Sequence, residues 1–229
     1  MCFSTSASFS AAAVLLPAGV LALRYTRTFN QPYWVLAIFP LVFALQQIIE
    51  GVLWLTFTND NSQQTPNIFA LSFLFIALSF WLFWVPYSAY VLEDKPHKIK
   101  LLKTLTIIST LFGLSLFLPI IMGKSILMIS QIQHSFVYEV EFLHMQIMPR
   151  VSVRGMYAIF ILLPLFYSSH KQIRIFAVII LLSLISSALI YGYAFISVWC
   201  FFAALMSIYL VYVCKQLSVR TWTLLEKST

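Results

Sequence analysis

The stretch YWVLAIFPLVFALQQIIEGVLWLTF, residues 33–57, is a long apolar run that contains three adjacent or nearby polar side chains. It exceeds the ~20 residues that a helix needs to cross ~30 Å of hydrocarbon. Its polar residues, Gln46, Gln47 and Glu50, lie where apolar side chains are expected. The stretch therefore predicts a membrane-spanning helix, and it raises the question of why a carboxyl group lies inside it.

The composition of the whole chain agrees with a lipid environment. Hydrophobic residues make up 61% of the 229 residues, charged residues only 9%, and the mean hydropathy is +0.92. A soluble domain carries roughly 25% charged residues, so this chain cannot cover a water-facing surface. The formal net charge of +7 does not indicate nucleic-acid binding, because the basic residues form short clusters between apolar runs. We expect those clusters to contact lipid headgroups.

Seven apolar runs predict an all-α fold, a polytopic membrane helix bundle with seven transmembrane helices in one domain, residues 1–229. The runs cover residues 6–23, 33–57, 67–92, 104–122, 151–167, 174–190 and 194–213. They leave a loop at 123–150 and a tail at 214–229. The fifth run is the weakest because Arg150 and Arg154 lie at its start. The alternative is five or six spans, with the fifth run on the membrane surface.

The distribution of basic residues predicts the orientation of these spans. Eleven fall on one side: Arg24, Arg27, Lys95, Lys98, Lys100, Lys103, Lys171, Arg174, Lys215, Arg220 and Lys227. The other side has three: Lys124, Arg150 and Arg154. Because cytoplasmic loops carry the excess of Lys and Arg, the N-terminus and the loop 123–150 are expected outside. The tail is expected in the cytoplasm.

Glu50 is the one acidic residue of the chain that falls inside a predicted span. A charged side chain near the bilayer centre costs about 2.5–3.5 kcal/mol on insertion scales. Helical spacing places Gln46, Gln47 and Trp54 on the same face as Glu50, so this face should point into the bundle. At ~1.5 Å per residue, Glu50 lies about 10 Å below the outer end of its span.

Other reactive side chains are expected at the same depth. Cys2 begins the first span on the outer side, and Cys200 lies about 10 Å into the seventh span from that side. The outer loop carries His134 and Tyr138 in HSFVYEVEF, residues 134–142, which alternates as a strand or a folded-back flap does. Two thiols, a carboxyl group and an imidazole are therefore expected to converge near the outer surface.

Several segments resemble an uncharacterised family of bacterial integral membrane proteins whose members begin with Met-Cys-Phe-Ser. The segments are MCFSTSASFSAAAVLLPAG (1–19), LQQIIEGVLWL (45–55), FWLFWVPYSAYVLE (80–93), HSFVYE (134–139), YSSHKQIR (167–174) and FISVWCFFAAL (195–205). The resemblance implies one multi-spanning domain in the bacterial cytoplasmic (inner) membrane, and it transfers no catalytic residue. The family pattern matches the chain at Cys2, Glu50, His134 and Cys200.

The first functional hypothesis is a metal site near the outer face. Its ligands would be Cys2, Glu50 and His134, with Cys200 as a further candidate. Thiolate, imidazole and carboxylate are the ligand set of zinc, copper or iron in proteins. No CxxC or HxxxH spacing is present to support it.

The second hypothesis is a pocket for a small substrate in a transporter or a membrane-embedded enzyme. Glu50 would act as a proton carrier or general base. The ligand-binding residues would be Gln46, Gln47, Glu50, Trp54 and Tyr138. Prolines within three spans could break the helices, as transporter sites often require; they are Pro40, Pro86 and Pro119.

The third hypothesis is an accessory or structural protein with a Cys2–Cys200 disulfide, which an extracytoplasmic location permits. A seven-helix bundle with an outside N-terminus also suggests a retinal protein. A Schiff base would require a lysine in the final span, and residues 194–213 contain none. We therefore expect no covalently bound retinal.

Overall fold

The computed structural model describes residues 4–27, 32–56, 68–123, 127–132, 135–140, 149–190 and 195–216. The helices are α1 (Thr5–Arg27), α2 (Trp34–Thr56), α3 (Ile68–Val91), α4 (Pro96–Ile121), α5 (Arg150–Tyr167), α6 (Lys171–Ile190) and α7 (Phe195–Met206). After a turn at Ser207, helical residues continue along 208–216. Between α4 and α5, β1 (Leu127–Ile132) and β2 (Ser135–Val140) pair as an antiparallel hairpin, which confirms the strand predicted there.

Six of the described helices are long and apolar enough to cross a membrane, and the apolar part of α5, Val151–Tyr167, is shorter. The chain is a multi-pass membrane protein, and the predicted helix bundle is confirmed. The Tyr157 hydroxyl donates to the Ala77 carbonyl, and the Ser169 amide donates to the Glu93 carboxylate. The first contact joins the interior of α5 to the interior of α3, and the second joins the residues just after the two helices. Helix α5 therefore runs alongside α3 in the same direction. This placement favours seven helices in one bundle over a surface position for the fifth run.

Helix α4 begins well before the apolar run that predicted it. The predicted span began at residue 104, whereas the helix begins at Pro96, a residue that suits a first helical turn. The added turns carry Lys98, Lys100 and Lys103. Hydropathy detects the length of helix that lies in lipid, so it misses turns that extend into the headgroup layer.

The prolines inside the spans do not break their helices. Helices α2, α3 and α4 continue through Pro40, Pro86 and Pro119 respectively. A proline in a helix removes one amide donor, but neighbouring helices can satisfy the freed carbonyl in a membrane protein. The discontinuous helices considered for a transporter are therefore absent at these three positions.

The outward faces of the bundle are apolar, and its centre is built on α2. Exposed leucines include Leu111 on α4 and Leu189 on α6, the latter 81% exposed, as expected where the surrounding solvent is lipid. Helix α2 is the most buried of the candidate spans among the described residues. It packs closely against α1, because a Cβ on Gly51 would approach the Phe9 ring to 2.9 Å.

Helix α3 contains a π-helical segment, Ile76–Phe80, in which the Trp81 amide bonds to the Ile76 carbonyl. The wider turn inserts one residue into the α-helical ladder and changes which residues face each neighbour. The segment is held from outside by the Tyr157 hydroxyl on the Ala77 carbonyl and by Ser79 Oγ, which donates to the Gly113 carbonyl at 3.0 Å. Trp81, the first residue after it, faces α2.

The two ends of the bundle differ in character. The hairpin end carries β1 and β2, with the Phe136 ring 4.2 Å from the Trp54 ring. At the basic end, Lys98 Nζ donates to the Tyr167 carbonyl at 2.6 Å, and its ammonium lies 4.7 Å from the centre of the Tyr167 ring. The sequence predicts that the hairpin end is outside and the basic end is cytoplasmic.

Candidate functional site

The polar face of α2 is fully buried. Gln46, Gln47 and Glu50 each have a relative exposure of 0%. Helical spacing placed the three on one face, and burial follows because only the interior of the bundle can keep polar groups away from lipid. The structure therefore places a carboxyl group and two carboxamides in its core.

Gln46 connects this face to α3. Its Oε1 accepts a hydrogen bond of 3.1 Å from Trp81 Nε1. The Trp81 ring also stacks on Phe43, with ring centres 4.0 Å apart. Trp84, one turn further, donates to the Val35 carbonyl at 3.2 Å. Both tryptophans are thus held as packing elements between α2 and α3, and the π-helical segment sets the register that brings Trp81 to Gln46.

Cys200 on α7 reaches the same face. The thiol is free and buried, and it lies within hydrogen-bonding range of the Gln46 side chain and within electrostatic range of Glu50. The depth that the sequence predicted for Cys200 thus agrees with its position beside Glu50. Cys2 lies outside the described residues, so the Cys2–Cys200 disulfide stays a prediction.

Gln46 has a partner at Oε1 only, since its Nε2 has none among the described residues, and Gln47 has a partner at neither polar atom. Both polar atoms of its side chain are buried, and neither has a hydrogen-bond partner among the residues that the structure describes. A buried amide without a partner costs about 1–3 kcal/mol in proteins. The neighbouring α1 contributes a second such group, the buried Ser8 Oγ, one residue before the Phe9 that packs on Gly51. The α1–α2 side of the site therefore has hydrogen-bonding capacity that the described fold does not use.

Trp54 and Tyr138 belong to an aromatic layer at the hairpin end. Phe136 joins them, with its ring 4.2 Å from Trp54 and 6.3 Å from Tyr138, and Tyr138 stacks on Phe73 at 5.1 Å. Val137, on the opposite face of β2, packs on Val198 of α7. The hairpin thus covers this end of the bundle with ring packing. The predicted role of Trp54 and Tyr138 as ligand-binding residues stays a prediction.

The structure describes two of the four predicted metal ligands, Glu50 and Cys200. Cys200 lies within electrostatic range of Glu50, whereas Cys2 and His134 lie outside the described residues. Within the described ranges, no group of three or more His, Cys, Asp or Glu side chains is placed to hold a metal ion. The metal site and its four ligands therefore stay a prediction.

Sequence reasoning missed Tyr157 and the π-helical segment. Tyr157 bonds to Ala77 in that segment, and its ring packs edge-on against Trp199, beside Cys200. Gly113 permits the close approach of α4 to the π-helical segment, since an added Cβ would lie 2.9 Å from the Leu78 carbonyl oxygen. A glycine and a tyrosine within two apolar spans were the available signals, but neither has a partner that sequence spacing identifies.

The chain belongs to the Family of unknown function (DUF6629), whose pattern it matches over residues 1–223. This confirms the resemblance read from the opening Met-Cys-Phe-Ser signature and the segments that follow it. No curated protein and no solved structure matches the chain.

Proposed function

We propose that this member of the DUF6629 family binds a metal ion within the membrane at a site built on Glu50 and Cys200. The observation that carries the proposal is a fully buried carboxyl group on α2 within electrostatic range of a buried thiol on α7. Carboxylate and thiolate together suit a borderline or soft ion such as zinc, copper or iron. Cys2 and His134 are the predicted further ligands.

A metal ion is one kind of partner that would stabilise an ionised Glu50 within the bundle. An isolated ionised carboxylate is strongly disfavoured in an apolar interior, so buried charges are paired or coordinate metals. Gln47 and Gln46 then have a role beside the ion. Metal ligands are commonly oriented by hydrogen bonds from an outer shell of polar side chains, and these two carboxamides lie on the same helical face as Glu50.

The proposed setting is the cytoplasmic membrane of a bacterium, with the hairpin end and the site on the outer side. The excess of basic residues at the opposite end supports this orientation. Cysteine-accessibility labelling of Asp60→Cys and Lys98→Cys variants tests it directly. Labelling of both positions from the same side would contradict the orientation.

The first experiment is elemental analysis with an absorption spectrum of protein purified in detergent without chelators. The wild type is compared with Glu50→Gln and Cys200→Ala. The matched control is Cys214→Ala, which removes another buried thiol about 20 Å further along the same helical segment at ~1.5 Å per residue. We expect near-stoichiometric metal in the wild type and Cys214→Ala, and loss of metal in both site variants.

Two results would contradict the proposal. One is a wild type that carries no metal and takes up none when zinc, copper or iron is supplied. The other is a metal content that Glu50→Gln and Cys200→Ala leave unchanged while both variants remain folded. Circular dichroism on each sample separates loss of metal from loss of fold.

A further inference from the structure

A cavity lies next to the polar site, in the middle of the bundle. It has a volume of about 40 Å³ and is bordered by α2, α3, α5, α6 and α7. Aromatic rings form much of its wall: Phe39, Phe43, Trp81, Tyr157, Phe176 and Trp199. Aliphatic side chains of α5 and α6 and the side chains of Cys200 and Ala203 complete it.

The wall presents almost only carbon to the cavity, and two of its polar groups form hydrogen bonds elsewhere. Trp81 Nε1 donates to Gln46, and the Tyr157 hydroxyl donates to the Ala77 carbonyl. The Cys200 thiol lies beside Gln46. An occupant would therefore meet almost only carbon, and burial of an apolar group is the interaction that such a surface favours.

The size of the cavity restricts its occupant further. A water-sized group needs about 10–15 Å³ of cavity volume. The cavity therefore has room for about three such groups. A cavity that binds benzene is about 150 Å³, which excludes an aromatic ring here. A short run of methylene and methyl groups fits.

Hydrocarbon chains are also the molecules that surround this part of the protein. Helices α5 and α6 line the cavity with Ile161 and Ile180. On their outward faces the same helices expose Ile159 and Leu182, at 57% and 58%, which meet lipid in a multi-pass membrane protein. An unfilled void forfeits dispersion contacts along its lining, so entry of a neighbouring chain is favourable.

We propose that this cavity binds the terminal segment of one hydrocarbon chain of a membrane lipid. Trp81 and Cys200 form a wall shared with the polar site, because each lines the cavity and each contacts Gln46. A chain end against this wall keeps water away from that side of Glu50. The lipid site does not depend on the metal proposal, since no metal ligand other than Cys200 borders it.

The test uses full-length protein in nanodiscs made with phosphatidylcholine that is brominated near the chain ends, and with the unbrominated lipid. Bromine quenches tryptophan fluorescence on contact, and Trp81 and Trp199 line the cavity. We expect brominated chains to quench the wild type, and we expect Trp199→Phe to lose part of the quenched emission.

Cavity-filling variants provide the decisive comparison. Ala203→Val adds two methyl groups to the wall from α7, and Ile161→Phe fills the cavity from α5. The matched control, Ala13→Val, makes the same addition at an exposed position of α1. Both filling variants should lose the quenching of the tryptophans that line the cavity, Trp81 and Trp199. Ala13→Val should keep it.

A folded filling variant that is quenched as strongly as the wild type would overturn the proposal and identify the cavity as a packing defect only. Circular dichroism of each nanodisc sample establishes folding, and the two fillers approach from different helices. Metal content is measured on the same samples. A wild type that carries no metal, but whose quenching is lost in both filling variants, would count against the metal site alone.

Discussion

Two glutamates are buried in the part of the chain that the structure describes, Glu50 and Glu93, and the two regions around them are built differently. At the basic end, Glu93 accepts hydrogen bonds from the Lys95 amide at 3.2 Å and the Ser169 amide at 2.8 Å. Its carboxylate thereby joins the α3–α4 connection to the α5–α6 connection. At the hairpin end, Glu50 lies on a face with Gln47, whose carboxamide has no partner within the described part of the chain. The comparison separates a carboxylate used for folding from a polar face with capacity left for a ligand.

Electrostatics support the structural role of Glu93. Burial opposes its ionisation, but hydrogen bonds from Ser169 and the Lys95 amide, with the charge of Lys98, outweigh burial and lower the pKa of the Glu93 carboxyl. His170 strengthens the same connection, because its ring bonds to the Leu92 carbonyl and lies 3.9 Å from Asp94. The basic end is therefore closed by interactions within the fold.

The largest expected effect comes from removing the structural carboxylate. Glu93→Ala leaves two backbone amides without their acceptor, at about 1–3 kcal/mol each, so we expect a loss of about 2–6 kcal/mol in the free energy of unfolding. Chemical unfolding in detergent measures it. The control is Asp94→Ala, since the Asp94 side chain is 90% exposed and should change stability by less than about 0.5 kcal/mol. Equal losses of stability in the two variants would contradict a structural role for Glu93.

The next effect concerns the hydrogen bond that Gln46 Oε1 accepts from Trp81 Nε1. Gln46→Leu removes the acceptor of Trp81 Nε1 and leaves a buried N–H, which should cost about 1–3 kcal/mol of unfolding free energy. Adding Trp81→Phe removes that orphaned donor. The double variant should therefore show a coupling between the two positions in a double-mutant cycle. Strict additivity would indicate that the 3.1 Å hydrogen bond contributes nothing.

The pH dependence of stability follows from the lowered pKa of Glu93. A carboxyl group whose pKa is lower in the folded state stabilises the protein at pH values above its unfolded pKa, near ~4.3. That contribution is lost as the pH falls through the folded pKa. Melting temperatures from about pH 5 to about pH 3 should fall more steeply for the wild type than for Glu93→Gln. Parallel curves would show that Glu93 does not contribute.

The smallest expected effect on stability is that of Gln47→Leu. Because neither polar atom of Gln47 has a described partner, replacing it by an apolar side chain should change the free energy of unfolding by about 0–1 kcal/mol. The same variant should bind metal more weakly than the wild type, as measured by elemental analysis after dialysis. A large loss of stability with metal content unchanged would place Gln47 with Gln46 as a structural residue.

The sequence was sufficient for the class of the fold and for the position of the polar face. Apolar runs of about 20 residues and the 3.6-residue helical period are local properties, so they predicted the bundle and the burial of Glu50. The alternation of residues 134–142, also a local property, predicted the β2 strand. The same reasoning placed Cys200 at the depth of Glu50, because depth follows from the rise per residue along each helix.

Only the tertiary structure showed which helices are in contact and which polar groups are hydrogen-bonded across those contacts. The Gln46–Trp81 bond, the Tyr157–Ala77 bond and the cavity beside Cys200 join residues far apart in the chain. A π-helical turn sets the register that makes the first of these bonds. Hydropathy and spacing describe one helix at a time. Which neighbour each side chain faces decides that Gln46 Oε1 accepts a hydrogen bond, whereas Gln47 has no partner among the described residues.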